Sequence, residues 1–339
     1  MILRPKSLPH QLAPLPGAAT ATQAVPVPAW LRRAIPDAQS LADKGIEDVA
    51  LAAGAAMSAL DAVVRRQERW AGAWRQRLAL VAAAATAKQA ERIEDEAALR
   101  DAVLLTKPGD EFGPAGRMLL AWRRLAAMPA EKLLTEKNIG AALEELGLGC
   151  DDEGVSDLTD ELRQLGAGAG TVGQLTGAFA AAARYGLGRA VGAWLADALL
   201  AQRLGWAHAV PLLGAEVNAA GLGSSRPRRS ATATAARIED EGVLAKSLLA
   251  AQARAALRAI DLSAELGRQA DRLLAVAPKL RARASGLVVE RLLSDDAIVA
   301  SEKIAGMSDR GLRRLFDRLV ELGAVRELSG RPTFRIYGL

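Results

Sequence analysis

Apolar residues recur every three or four positions along most of this chain, which is the spacing of helices that bury one face. The pattern runs through about 43–130, 133–206 and 238–293, and glycine-rich interruptions at 147–154 and 166–173 divide the second stretch. Alternating β-branched and aromatic residues, which strands prefer, occur only near the C-terminus. The pattern therefore predicts a mainly α fold in which strands are confined to the last residues.

One helix close to the C-terminus has clear signals at both ends. The segment MSDRGLRRLFDRLVELGAV repeats leucine and phenylalanine at the spacing of a single helical face. Ser308 can cap the start of this helix through its hydroxyl, and Gly323 can adopt the left-handed conformation that ends it. We predict a helix between these two residues, with its apolar face buried. Two shorter helices are predicted before it, at 286–293 and 296–304, with a tight turn at Gly306.

A β-hairpin with a basic tip is predicted after this helix. The segment VRELSGRPTFRIYGL has two strand-like runs that flank Ser329 and Gly330. In the second run two sets of residues alternate, Thr333, Arg335 and Tyr337 with Phe334 and Ile336. The order helix, helix, turn, helix, hairpin is that of a winged helix-turn-helix. We therefore predict a multi-helix body and a small C-terminal winged helix with one β-hairpin.

The basic charge of the chain is concentrated in this last part. The whole sequence has 44 Lys and Arg against 39 Asp and Glu, a formal net charge of +5. From Arg272 to the C-terminus we count thirteen basic and eight acidic residues, so this segment contains the entire surplus. A basic surplus confined to one small unit is typical of a surface that binds phosphates.

Arginines occupy the polar positions of the predicted helix. At about 100° per residue, Arg310 and Arg314 lie opposite the apolar stripe, and Arg313 and Arg318 flank it. The planar guanidinium fork of arginine can pair with guanine in the major groove or with phosphate oxygens. We predict a non-enzymatic DNA-binding protein, a transcriptional regulator, that contacts double-stranded DNA through the following residues: Ser308, Arg310, Arg313, Arg314, Arg318, Arg331 and Arg335. Because one copy would engage only some of these arginines, tight specific binding favours a homodimer.

The alternative is that the same charges form an ordinary solvated face. Arg313 and Arg314 can pair with Asp317, and Arg318 can pair with Glu321, within one helix. Winged helices also make protein contacts, so the fold alone does not fix the function. The second hypothesis is a helical scaffold or interaction protein in which the winged helix docks a protein partner.

Tryptophans and arginines are concentrated in one region of the predicted body. Trp70, Trp74, Leu78 and Val81 form a helical stripe, near a group of five arginines: Arg65, Arg66, Arg69, Arg75 and Arg77. A buried stripe with solvated or cation–π edges is the interpretation that we favour. Contact of these arginines with phosphate is the alternative.

Three parts of the chain are expected. Seven of the fourteen prolines fall in the first thirty-six residues, which indicates a flexible arm over 1–40. Residues 41–285 form the helical body, which includes a mobile loop at about 214–236 with the cluster RPRR. Residues 286–339 form the winged helix.

The sequence has no pattern that predicts a membrane span, a signal peptide or a catalytic site. Interior apolar stretches are short or interrupted by charges, so no membrane span is expected, and the N-terminus lacks a signal-peptide pattern. The single cysteine, Cys150, cannot form an internal disulfide, which fits a cytoplasmic protein. The two histidines, His10 and His208, have no companions at ligand or triad spacing, so no catalytic or metal-binding residue is assigned.

One glycine motif has the spacing of a dinucleotide-binding loop. Gly168, Gly170 and Gly173 fit G-x-G-x-x-G, but they follow the helical pattern DLTDELRQL where a strand is required. We interpret this motif as a connection between helices and predict no cofactor. The sequence leaves a small-molecule effector unidentified.

Several segments of the sequence resemble those of a known family. They are VRRQERWAGAWRQRLAL, DEAALRDAVLLTKPGDEFGPAGR, WLADALLAQRLGWAHAVPLL and the final segment from Met307. Together they resemble the bacterial Domain of Unknown Function 1403 family over nearly the entire chain, a resemblance that implies no activity or substrate. The final segment is also similar to winged-helix appendages at the C-termini of some Fic proteins. The catalytic Fic motif H-x-F-x-[DE]-G-N-G-R is missing from this sequence, so nucleotidyl transfer is not implied.

Overall fold

A computed structural model describes residues 27–37, 40–107, 109–218, 233–282, 284–331 and 333–339. Most of the proline-rich arm predicted over 1–40 lies outside these residues. The same holds for most of the loop predicted at about 214–236, including its RPRR cluster.

Thirteen α-helices lie in the described part of the chain, in agreement with the mainly α prediction. Their bounds are α1 Ala29–Ala34, α2 Ile46–Arg65, α3 Ala71–Gln89, α4 Glu96–Leu104, α5 Pro114–Ala127, α6 Ala130–Leu133, α7 Glu136–Glu145, α8 Asp152–Gly168, α9 Thr171–Arg184, α10 Gly188–Leu204, α11 Ala233–Val276, α12 Ser285–Ser294 and α13 Asp309–Glu321. Two short 3₁₀ turns accompany them, at Leu213–Glu216 and Ala277–Lys279. Within these ranges, no helix combines the length and the hydrophobicity that a membrane span requires.

Close packing of alanine-rich helices makes the body. The long helix α11 packs along α2 and also contacts α3 and α9, while α3 packs on α5 and α9 on α10. Large side chains fill the spaces between them, among which Trp122 and Trp194 are completely buried. The indole N–H of Trp194 donates to the carbonyl of Ala121 at 3.0 Å, so its polar atom is satisfied inside the core.

The tryptophan stripe predicted in the body is part of this core. Trp70 and Trp74 are 3% and 2% exposed, and the indole of Trp74 donates to the carbonyl of Ala259 on α11 at 2.9 Å. The interpretation of the stripe as core is confirmed. The G-x-G-x-x-G motif is confirmed as a helix-to-helix connection, because α8 ends at Gly168 and α9 begins at Thr171.

The C-terminal unit consists of α12, α13 and a three-stranded antiparallel sheet of β1 Ile298–Val299, β2 Arg326–Glu327 and β3 Ile336–Gly338. The strand order is β1-β3-β2, so the last strand lies in the middle. Ile298 pairs with Tyr337, and Arg326 pairs with Gly338. The unit therefore has more sheet than the single hairpin that the sequence predicts.

The helix predicted at 296–304 is wrong, because β1 and turns occupy this segment. The predicted order helix, helix, turn, helix, hairpin is therefore not formed, and the observed order is α12, β1, α13, β2, β3. Ala297, Ile298, Val299 and Ala300 are all buried, so the run has no solvent-exposed face. A continuous apolar run of this length suits a short buried strand as well as a helix, and the β-branched pair Ile298–Val299 favours the strand. The pairing of β1 with the distant β3 decides the outcome.

A buried charge cluster joins the C-terminal unit to the body. Asp296, 1% exposed, accepts hydrogen bonds from Arg77 of α3 and from Arg100 of α4, the latter at 2.6 Å. Burial alone would raise the pKa of Asp296, but the two guanidiniums outweigh it and hold the pKa below its ordinary value. This cluster and the close contact between Gly72 of α3 and Ser294 of α12 fix the C-terminal unit against the body.

Candidate nucleic-acid interface

Helix α13 is positioned by the local signals that its sequence contains. The hydroxyl of Ser308 accepts a hydrogen bond from the backbone N–H of Gly311 at 3.2 Å, so Ser308 is the N-cap, as predicted. Gly306 before the helix and Gly323 after it have φ angles of 79° and 64°, in the left-handed region that glycine adopts readily. Both predicted turns are confirmed, and Ser308 has a structural role at this end of the helix.

The apolar face of α13 rests on the central strand of the sheet. Phe316 is fully buried and stacks on Tyr337 of β3, with ring centroids 4.3 Å apart and an angle of 6° between the planes. Leu312, Leu315 and Leu319 are buried on the same face. The opposite face of α13 therefore points to solvent.

Arg310, Arg313 and Arg314 occupy this solvent-exposed face in the first half of α13. Among the residues that the structure describes, none of the three forms an ion pair. The helical pairing of Arg313 and Arg314 with Asp317, which the solvated-face alternative predicts, does not form. These three guanidiniums are available to a partner in solution.

Arg318 differs from these three arginines. Its guanidinium pairs with Glu321 at 2.6 Å, three residues along the same helix. This pair agrees with the alternative in which α13 has an ordinary solvated face. Since both side chains are more than half exposed, the pair is weak and open to exchange with an external anion.

Two arginines of the segment that follows α13 contact the helical body. Arg331 pairs with Asp101 of α4, and Arg326 pairs with Glu265 of α11 at 3.4 Å. The sequence predicts that Arg331 contacts DNA, but in the structure its charge is neutralised by the body. The sequence could not show this pairing, because Asp101 lies 230 positions earlier in the chain.

Arg335 lies in a cleft between the wing and α13. We use "wing" for residues 328–331 and 333–335, the described part of the connection from β2 to β3. Arg335 is 3.8 Å from Glu327 and 3.9 Å from Asp317 of α13. A hydrogen bond with Tyr337 and the charge of Glu327 raise the pKa of Arg335, so this guanidinium stays protonated.

The cleft has a volume of about 380 Å³. It is lined by residues of α13, of the wing and of the segment after β1: Ala300, Ser301, Arg313, Asp317, Thr333, Phe334, Arg335 and Tyr337. Of the predicted DNA contacts, the structure thus brings Arg313 and Arg335 together at one cleft and directs Arg331 elsewhere.

Phe334 is a feature of the wing that the sequence pattern did not identify. Regular alternation would place Phe334 on the same face as the buried Ile336. Instead, Phe334 is 66% exposed and has a φ angle of 55°, because β3 begins only at Ile336. The proline at position 332 of the sequence is a signal against a strand here, since proline rarely lies within a paired strand.

Arginines near the tryptophan stripe form ion pairs and hydrogen bonds with neighbouring segments of the chain. Arg69 pairs with Glu290 of α12, and Arg77 belongs to the buried cluster with Asp296. Arg75 donates to the carbonyl of Ala126 at 3.0 Å, and burial lowers its pKa. These contacts hold helices together, so the structure favours the interpretation of this region as a core with charged edges.

No group of three or more His, Cys, Asp or Glu side chains suited to a metal ion occurs in the described ranges of the chain. The backbone of His208 pairs with that of Pro129 in an isolated antiparallel β-bridge. The His208 side chain is half-buried, and this burial together with the charge of the nearby Arg75 lowers its pKa.

The family of the chain follows from the match of its sequence to a family model. Curated proteins give no match to the sequence. One family model, described as protein of unknown function (DUF1403), matches residues 17–339. Since the match spans nearly the whole chain, the protein belongs to the DUF1403 family.

Proposed function

We propose that this protein binds double-stranded DNA through the exposed face of α13 and the cleft beside it, and that it acts as a transcriptional regulator without catalysing a reaction. The observation that carries the proposal is the set of three exposed arginines, Arg310, Arg313 and Arg314, which have no ionic partner in the described part of the chain. Arginine at the start of an exposed helix can reach guanine edges and phosphates of the major groove.

The attachment of the C-terminal unit to the body supports the proposal. Asp296, Arg77 and Arg100 attach the C-terminal unit to the body, and Phe316 of α13 stacks on Tyr337 of the same unit. A partner that binds α13 therefore meets a preorganised surface, so less conformational freedom is lost on binding. The apolar face of α13 is occupied by Tyr337 and the sheet, which leaves the basic face for the partner. Residues 286–339 have nine Lys and Arg against eight Asp and Glu, so the attraction to a polyanion comes from the placement of Arg310, Arg313 and Arg314 on one exposed face.

The test is the affinity for a labelled duplex, measured by fluorescence anisotropy over a range of salt concentrations. Genomic fragments selected by the protein provide the duplex. Replacement of Arg310, Arg313 and Arg314 by Ala is expected to weaken binding by roughly 1–3 kcal/mol for each of these arginines that contacts a base. The slope of log affinity against log salt should also fall by about one for each arginine that neutralises a phosphate.

A matched control removes the same charge from the body. Arg33, Arg117 and Lys137 are exposed and lie on α1, α5 and α7. Their triple replacement by Ala should leave the affinity and the salt slope nearly unchanged. If both triple variants are folded and bind equally, general basicity explains the binding and the interface on α13 is wrong. If the wild-type protein binds no duplex at low salt, the winged helix is a protein-docking module instead.

The state of the protein on DNA forms part of the same proposal. Arg331 and Arg326 are paired with the body, so one copy offers fewer free arginines than the sequence predicts. We propose that two copies bind adjacent half-sites, since a homodimer doubles the number of contacts. Sedimentation of the complex would give its stoichiometry, and one copy per site at saturation would contradict the dimer. A cytoplasmic location belongs to this proposal and can be tested by cell fractionation.

A further inference from the structure

Phe334 is held in an unusual position on the wing. Its side chain is 66% exposed, and its φ of 55° lies in the left-handed region, which bulky residues rarely adopt. Exposure of an apolar ring to water is unfavourable, and so is a left-handed backbone at phenylalanine, so neither effect explains this arrangement. Unfavourable backbone conformations of this kind are concentrated at sites of binding and catalysis.

Hydrogen bonds fix the backbone on both sides of the wing. The carbonyl of Arg335, the next residue after Phe334, accepts from the N–H of Ala300 at 2.8 Å. The N–H of Ile336 donates to the hydroxyl of Ser329 at 3.2 Å, and the N–H of Leu328 donates to the carbonyl of Ile336 at 2.8 Å. Phe334 is therefore presented from a wing that is anchored to the sheet at its base.

The cleft between Phe334 and α13 has groups that suit a nucleic-acid backbone. Arg313 and Arg335 provide guanidiniums, Ser301 and Thr333 provide hydroxyls, and the volume of about 380 Å³ is large enough for a phosphate with its sugar. Asp317 also lines the cleft and lies 3.9 Å from Arg335, so it opposes an anion and helps to orient the guanidinium.

We propose that Phe334 enters the minor groove of the duplex as a wedge and partly unstacks one base step, while Arg313 and Arg335 hold the intervening phosphates in the cleft. This inference rests on the proposed binding of α13 in the major groove. The strand that separates the two grooves would then pass through the cleft, which places the wing at the adjacent minor groove. Apolar side chains inserted between base steps kink the duplex, and pyrimidine–purine steps yield most easily.

The surroundings of Phe334 favour a nucleic acid over a protein as the partner. Its described neighbours on the wing are Thr333, Arg335 and Arg331, all exposed. A protein-docking surface usually has several apolar side chains together at its centre and few charges there. A single aromatic ring among arginines and hydroxyls is complementary to a base step bounded by phosphates.

The experiment compares Phe334→Ala, Phe334→Leu and a control variant on a duplex labelled at both ends. Binding is measured over a salt series, and bending is measured from energy transfer between the ends. Phe334→Ala should bind roughly tenfold more weakly, as expected when an aromatic ring no longer stacks on a base, and should no longer bend the duplex. The salt slope should not change, because phenylalanine neutralises no phosphate. Phe334→Leu should retain most of the bend.

Leu51→Ala is the matched control, since Leu51 of α2 is 69% exposed and should contribute nothing. If Phe334→Ala binds and bends the duplex like the wild type while the Arg310, Arg313 and Arg314 triple variant loses binding, the wedge is wrong and the proposed function stands. A lower salt slope in Phe334→Ala would also overturn the wedge, since the missing interactions would be ionic. If the wild type binds no duplex, both inferences fail.

Discussion

Asp296 accepts a hydrogen bond from Arg100 Nε at 2.6 Å, and both side chains are almost completely removed from solvent. Asp296 lies between α12 and β1 of the C-terminal unit, whereas Arg100 lies on α4 of the body. Arg77 of α3 binds the same carboxylate. The C-terminal unit is thus attached to the body through a shared ionic cluster.

Removal of the Asp296 carboxylate should strongly destabilise the protein. In Asp296→Ala, Arg77 and Arg100 would be left buried without their common partner, which costs about 3–5 kcal/mol for a buried pair. The free energy of unfolding, measured with urea, checks this prediction. Asp160→Ala is the control, because the exposed Asp160–Arg163 pair should contribute less than about 1 kcal/mol. Equal losses in the two variants would contradict the role of the cluster.

Acid should weaken the same attachment. The pKa of Asp296 is held below its ordinary value of 3.8 in the folded protein, so its carboxylate favours folding above that pH. This contribution is lost as the pH falls from about the ordinary value through the lowered one. The pH dependence of unfolding should therefore be steeper below pH 4 in the wild type than in Asp296→Asn. Parallel stability curves for the two proteins over this range would refute the assignment.

Local sequence signals correctly predicted both ends of α13, whereas features that depend on contacts between distant parts of the chain could not be predicted from such signals. Ser308, Gly306 and Gly323 act within a few residues of the helix, so the sequence contains all that is needed to place its ends. The strand at Ile298 depends on pairing with Tyr337, and a helical spacing could not reveal that partner.

The candidate site shows the same division. The exposure of Arg310, Arg313 and Arg314 follows from the helical projection, because an amphipathic helix can bury only one face. The pairing of Arg331 with Asp101 could not be predicted, since it depends on how the C-terminal unit packs on the body. The exposure of Phe334 depends on where β3 begins, and strand ends are weakly specified by the sequence.

The close approach of α3 to α12 should make Gly72 intolerant of a larger side chain. A Cβ at position 72 would lie 2.6 Å from the carbonyl oxygen of Ser294, which is backbone and cannot rotate away. Gly72→Ala should cost about 1–3 kcal/mol of stability through this overpacking. Gly54→Ala is the control, because a Cβ there meets nothing within 4 Å and alanine should stabilise α2 by about 0.5–1 kcal/mol. Thermal unfolding would show opposite shifts, and a stabilised Gly72→Ala would rule out the close contact.

The two kinds of arginine at the interface should behave differently on DNA. Arg313→Ala should weaken binding and lower the salt slope by about one, because its guanidinium is free to meet a phosphate. Arg331→Ala should change the slope much less, since the Asp101 carboxylate already neutralises Arg331. Anisotropy titrations of both variants at several salt concentrations provide the comparison. An equal decrease in slope would mean that Arg331 leaves Asp101 when DNA binds.

Asp197 provides a second pH-dependent element, with the opposite sign to Asp296. Its carboxylate is completely buried on α10 and accepts from the backbone N–H groups of Leu212 at 2.7 Å and Leu213 at 3.0 Å. Burial raises the pKa of Asp197 well above its ordinary value of 3.8, although the two N–H groups oppose the shift. The folded state therefore retains a proton that the unfolded chain releases, so this group contributes stability at acidic pH that is lost as the pH rises through the raised pKa.

Replacement of Asp197 should separate its charge from its hydrogen bonds. Asp197→Asn keeps an acceptor but cannot ionise, so its stability relative to the wild type should increase as the pH rises above about 4. Asp197→Ala leaves two buried N–H groups without a partner and should lose about 1–3 kcal/mol for each at every pH. Urea unfolding between pH 4 and pH 8 measures both effects, with Asp110→Asn on an exposed loop as the control. If the difference between Asp197→Asn and the wild type stays constant over this range, Asp197 does not titrate differently on folding.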